Sequence, residues 1–133
     1  MKDGASITVN LPASLRGTFQ TVAANQAITE REACRRIICG LSGLTGADLR
    51  SLPEPPREYR NVDLKIDLEW RELDRLTEAS GISQITISSI FRRILHAFLI
   101  TRRIHFVARN NKDEFRLELT QMHFDFAKNY ERG

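Results

Sequence analysis

Residues 33–41, ACRRIICGL, are echoed by residues 90–98, IFRRILHAF, which keep the Arg-Arg-Ile triplet in a similar apolar setting. A repeat constrains a short chain strongly, because whatever one copy folds into, the other must be able to form as well. Sliding the sequence by 57 residues places Leu11 on Leu68, Phe19 on Leu76, Ile28 on Ile85 and Thr29 on Thr86, and then Arg35 on Arg92, Arg36 on Arg93 and Ile37 on Ile94, with no gap.

Each copy carries the same three signals in the same order. SITVNLP alternates, with Ile7, Val9 and Leu11 on one face and Ser6, Thr8 and Asn10 on the other, the period-two pattern of a short strand. NVDLKIDL does likewise, with Val62, Leu64, Ile66 and Leu68 apolar and Asn61, Asp63, Lys65 and Asp67 polar. A first helix follows each strand. In one copy Asn10 caps it, Pro12 sits in its first turn, Leu15, Phe19, Val22 and Ala23 form its stripe, and it ends near Asn25. In the other, Trp70, Leu73, Leu76 and Ala79 make the stripe, so Trp70 reads as core, and Gly81 supplies a left-handed stop.

A second helix then opens in each copy. TERE, Thr29 to Glu32, has the spacing of a capping box, in which a hydroxyl and a carboxylate satisfy first-turn amides. The matching start is Ser83 or Thr86. Ala33, Ile37 and Leu41, and Ile87, Ile90, Ile94 and Phe98, are the faces these helices bury. The arginine pairs lie about six residues beyond each start, where salt bridges to Glu32 or to acids of the other copy are expected.

Between the copies LTGADLRSLPEPPREYR contains Pro53, Pro55 and Pro56 and reads as an extended tether. The expected division is a first unit over 1–50, a Pro-rich linker over 51–59, a second unit over 60–108 and a C-terminal extension over 109–133. Phe115, Leu119, Met122, Phe126 and Tyr130 stand at helical spacing, which favours a helix in that extension; Phe115, Leu117 and Leu119 also alternate, which leaves a hairpin turning at RNNKDE.

Composition narrows the function classes. Of 133 residues 41% are apolar and 28% charged, ordinary for a globular domain, and no apolar run approaches the roughly 18 residues of a membrane span. The N-terminus lacks the apolar core of a signal peptide, so a cytoplasmic protein is expected. Cys34 and Cys39 would project about 140° apart on a helix, and His96, His105 and His123 are scattered, so no metal site, cofactor or catalytic set is expected. The net charge is only +3, but no acid occurs between Glu78 and Asp113, where Arg92, Arg93, Arg102, Arg103, Arg109 and Lys112 fall. Such a segment suits a polyanion.

One strand and two helices, about 40 residues, bury too little to fold alone. The order resembles the ribbon-helix-helix family of MetJ/Arc-type DNA-binding proteins over residues 5–44 and 60–100, and the tandem arrangement resembles TraY-like relaxosome accessory proteins. The resemblance implies a mainly α fold with a two-stranded antiparallel ribbon, the two units forming a pseudo-dimer within one chain. It implies that the ribbon enters the major groove of double-stranded DNA, with Ser6, Thr8, Asn10, Asn61, Asp63, Lys65 and Asp67 facing base edges. It further implies phosphate clamps at the second helices, at Thr29 and Glu30 and near Ser83 to Thr86. The expected role is non-enzymatic, as a transcriptional repressor or a transfer-origin accessory protein, with further chains associating on DNA. Two alternatives stand beside it. In one the ribbon only dimerises; in the other the chain is an interaction module for a toxin, relaxase or coupling protein.

Overall fold

Strand β1 (Gly4–Pro12) runs straight into helix α1 (Ala13–Asn25), and α2 (Glu30–Gly40) follows. A 3-10 turn at Leu41–Gly43 leads to the short α3 (Gly46–Ser51). After an extended stretch over 52–60 the sequence of elements recurs as β2 (Asn61–Glu69), α4 (Trp70–Ser83) and α5 (Ile87–Leu99), followed by β3 (Ile104–Arg109) and β4 (Glu114–Leu119). This computed structural model describes residues 4–109 and 114–120.

The described residues form a mixed α/β structure with five α-helices and two separate two-stranded antiparallel sheets, β1 with β2 and β3 with β4. Period-two alternation decides how the first sheet sits. Val9, Leu11, Leu64, Ile66 and Leu68 are buried, while the residues between them face outward. The inner face lies over a core of Leu15, Phe19, Ile38, Leu76, Phe91, Ile94 and Leu95, each 4% exposed or less. Burying one such side chain is worth roughly 1.5–3 kcal/mol. Helix packing crosses between the two copies, α1 against α5 and α2 against α4. Within each copy α1 also packs on α2 and α4 on α5.

Several boundaries differ from the sequence reading for local reasons. β1 continues through Pro12, which lies opposite Asn61 at the end of the ladder, and Pro12 rather than Asn10 immediately precedes α1. Gly81 does not stop its helix. α4 runs on to Ser83 and turns at Gln84, whose φ of 61° is left-handed and whose N–H returns to the Ser80 carbonyl. Thr86 therefore caps α5, and Ser83 belongs to the preceding helix. Trp70, the first residue of α4, is 52% exposed, and the inward stripe of that helix is carried by the half-buried Leu73 and the buried Leu76 in the following turns.

The segment between the copies is more than a tether. Thr45 and Asp48 form a reciprocal capping box on α3, and Leu44, Leu49 and Leu52 are buried in the main core. Only the stretch after Ser51 is extended, and Pro55 within it is buried too.

The C-terminal extension is a hairpin where it is described, not the favoured helix. Both periods fit its sequence locally; the decision is tertiary. Leu117 is fully buried against α2 and the turn after it, where Gly40 and Gly43 leave room for β4. A Cβ at Gly43 would stand 2.0 Å from the Leu117 carbonyl oxygen, so only glycine admits this approach. Phe106, opposite Leu117, meets Phe98 edge-to-face at 4.9 Å. The expectations for Met122, Phe126 and Tyr130 lie outside the described residues.

Candidate nucleic-acid interface

All seven ribbon residues expected to face outward do so: Ser6, Thr8 and Asn10 on β1, and Asn61, Asp63, Lys65 and Asp67 on β2 are exposed. Antiparallel register sets six of them as three cross-strand pairs, Ser6 opposite Asp67, Thr8 opposite Lys65 and Asn10 opposite Asp63. The outer pairs are hydrogen-bonded. The Ser6 hydroxyl donates to Asp67, and the Asn10 amide donates to Asp63 Oδ1 at 2.9 Å. Asn61 lies apart, opposite Pro12, with its amide donating to the Glu58 carbonyl at 3.4 Å. The face thus carries hydroxyl, amide, ammonium and carboxylate groups within a few ångströms, the mixture of donors and acceptors that base edges require. Its formal charge is −1, from one lysine and two aspartates.

The second helices pack on this ribbon, α2 against β2 and α5 against β1. Thr29 Oγ1 accepts from the Glu32 amide at 3.0 Å, and Thr86 Oγ1 accepts from the Ser89 amide at 3.2 Å. Both threonines are exposed. Only half of the expected capping box at Thr29 forms. The Glu32 carboxylate turns instead to Arg35, accepting from Nε at 2.9 Å and Nη2 at 2.7 Å, and to Arg36 Nε at 3.0 Å. The Arg35 hydrogen bond, reinforced by Arg36 against the cost of burial, holds the Glu32 carboxyl down at about 2. Glu30, at the first turn, is occupied by a bidentate ion pair with Arg16. Ser83 cannot serve as a phosphate ligand: it is fully buried in the last turn of α4, and its hydroxyl donates to the Ala79 carbonyl.

The arginine pairs form salt bridges, as their distance from the helix starts suggested, but the second pair uses an acid that sequence reasoning overlooked. Arg92 grips Glu54 through Nε at 2.9 Å and Nη2 at 3.3 Å, and Arg93 Nε lies 3.8 Å from the same carboxylate. Ser89 also donates its hydroxyl to Glu54. Under the 57-residue shift Ser89 stands where the first copy has Glu32. The linker glutamate therefore replaces a carboxylate that the second copy lacks. Hydrogen bonds from Arg92 and Ser89 lower the Glu54 pKa, against burial, which raises it. The one sequence signal was a missing acid at position 89 beside an intact arginine pair.

The linker makes two further attachments. Glu58 accepts from the Ser14 amide at 3.0 Å and from its hydroxyl, capping α1, whose own N-cap residue is a proline without a side-chain acceptor. Arg92 Nη1 reaches the Asn10 carbonyl at 3.3 Å, joining linker, α5 and ribbon. These groups border a cleft of about 450 Å³ at one end of the ribbon, lined by Asn10, Pro12, Glu54, Arg57, Asn61 and Arg92. A second cleft of about 520 Å³ lies at the other end, between Ser6, Asp67, Glu69 and Arg31.

Cys34 is buried in α2, where burial pushes its thiol up to about 12 and leaves it protonated at neutral pH; Cys39 is half-buried. No cluster of three metal-ligating side chains occurs among the described residues, and none of their helices is long and apolar enough to cross a membrane. Comparison of the chain with protein-family models, curated proteins and solved structures gave no match.

Proposed function

We propose that this chain is a sequence-specific double-stranded DNA-binding protein whose two strand-helix-helix copies act as a pseudo-dimer and insert the β1–β2 ribbon into the major groove. The observation that carries the reading is the ribbon's register. Thr8 faces Lys65, and these are the residues that the 57-residue shift superposes. The same shift carries Ser6 to Asp63 and Asn10 to Asp67, so exchanging the copies returns the ribbon to itself about its central pair. A polar two-stranded face with a threonine-capped helix beside each strand suits groove entry with backbone contacts on both sides. The biological role proposed is transcriptional repression or assistance at a conjugative transfer origin, with cytoplasmic duplex DNA as partner and no catalysis.

The second reading is a protein-interaction module, for example for a relaxase, and one observation favours it: the ribbon face is formally anionic, with Asp63 and Asp67 already bonded to Asn10 and Ser6. The experiment that separates the two replaces Thr8 and Lys65 with alanine. Both are exposed and contribute nothing to the core, so helix content and melting should stay at parental values. On a duplex selected from a random pool, specific binding should weaken by about 1–3 kcal/mol per lost base contact, while salt-sensitive binding to a scrambled duplex persists. Equal discrimination by variant and parent at one salt concentration rejects base reading.

A further inference from the structure

The two copies solve one electrostatic problem in different ways. In the first, the carboxylate between the arginines belongs to Glu32, on the same helix three and four residues before them. It cannot leave while α2 is folded. In the second, the equivalent position is Ser89, and the carboxylate arrives from Glu54 on the extended linker. Ser89, Arg92 and Arg93 are thus arranged around an anion that α5 itself does not supply. Arg92 offers a bidentate fork, Ser89 a hydroxyl, and Arg93 a second guanidinium braced on Ser89 Oγ at 3.0 Å and on the Leu52 carbonyl at 2.8 Å. Planar forks of this kind bind carboxylate and phosphate with the same geometry.

We propose that Ser89, Arg92 and Arg93 form an anion site which Glu54 fills in the free protein and a phosphate group fills in its place on binding. Taking that phosphate as part of a DNA backbone rests on the function proposed above; the exchange of one anion for another does not. The linker is then a built-in competitor held at high effective concentration by its attachment at Leu52 and by the buried Pro55 next to Glu54. Only the second copy is exchangeable. The cleft beside it is lined by Glu54, Arg57 and Arg92 together with the ribbon residues Asn10 and Asn61, so an entering phosphate lies next to the base-reading face.

The test needs no DNA. Inorganic phosphate is titrated into the full chain while the Arg92 and Arg93 Nε–H resonances are followed. E54Q should show saturable shifts at both, with an apparent affinity at least tenfold tighter than the parent's. E58Q removes the same charge from the same linker but not from the arginines, and should behave as the parent does. Placing the missing carboxylate on the helix, as S89E in the E54Q background, should abolish the gain, as Glu32 does in the first copy. The proposal is overturned if E54Q binds phosphate no better than the parent, or if E58Q gains as much, since the effect would then be one of general charge. A second arm measures duplex affinity against salt, where E54Q should steepen the logarithmic slope by about one relative to E58Q. Phosphate exchange in a protein without duplex affinity would reject the DNA reading and leave the anion site in place. Duplex binding without phosphate exchange would do the reverse.

Discussion

Single side chains decide how the second helices begin. Thr29→Ala removes the acceptor for the Glu32 amide and should cost on the order of 1 kcal/mol in denaturant unfolding, and Thr86→Ala a similar amount. If the threonines also stand beside phosphates, each variant, fully folded, should bind duplex more weakly; unchanged affinity would reject a clamp there. Glu32 makes a pH prediction with a definite sign. Its folded-state pKa lies near 2, below the ordinary 4.5, so its contribution is fully present above 4.5 and is lost as pH falls from 4.5 through 2. Stability of the parent minus that of E32Q should shrink across this window in acid titrations followed by circular dichroism. At this scale the sequence was legible wherever the interaction was local. Thr29 announced itself because a capping residue acts within one turn, while the second start stayed open between Ser83 and Thr86 until the structure placed the cap at Thr86. Glu54 did not announce itself, because its partners are 35, 38 and 39 residues away and nothing in PEPPRE indicates which arginine pair it meets.

Strands and amphipathic helices followed from hydrophobic period, while their ends and alternative pairings depended on neighbours. Gly81 illustrates the point. Glycine near the end of a periodic run ordinarily signals a left-handed cap, yet here Gln84 takes that conformation and Gly81 lies inside α4 with open space around it. Gly81→Ala should therefore stabilise the protein by about 1 kcal/mol, whereas a true left-handed stop would be destabilised by the same change. Thermal midpoints distinguish the two. Gly43→Ala tests an element contact instead. Its new methyl would collide with the backbone of β4, so the hairpin must shift, at a cost of roughly 1–3 kcal/mol or more. Faster hydrogen exchange at Leu117, with α1 unaffected, is the expected signature. Helix and hairpin fitted residues 115–119 equally well by pattern, and what selected the hairpin was Gly40 and Gly43, more than 70 residues upstream. The reading of Trp70 as core failed at a helix end: the spacing was right for α4, but Trp70 is its first residue and stays exposed while Leu76 is buried.

For the molecule as a whole, both strands of the β1–β2 ribbon come from one chain. A thermal midpoint that stays constant over a hundredfold range of protein concentration is the expected result, and a steep rise with concentration would mean that a second chain is needed for folding. The repeat made the recurrence of strand, helix and helix legible, and α1 packs on α5 and α2 on α4 across the two copies. The exposed residues between the units carried no comparable pattern, and the linker's place came only from the structure. The ribbon also fixes the order of events during synthesis. β1 is made first, yet among the described residues its hydrogen-bonding strand is residues 61–69, so Ile7, Val9 and Leu11 must wait for about 50 more residues to be polymerised. At about 5–20 residues per second that delay is roughly 3–10 s, long compared with helix formation and collapse. Throughout it the nascent strand presents an unpaired edge, and on a crowded polysome the nearest complementary β2 belongs to a neighbouring chain. Strand exchange between sister polypeptides is therefore the misassembly to which this topology is most exposed, and slowing translation within the Pro-rich stretch should increase its yield.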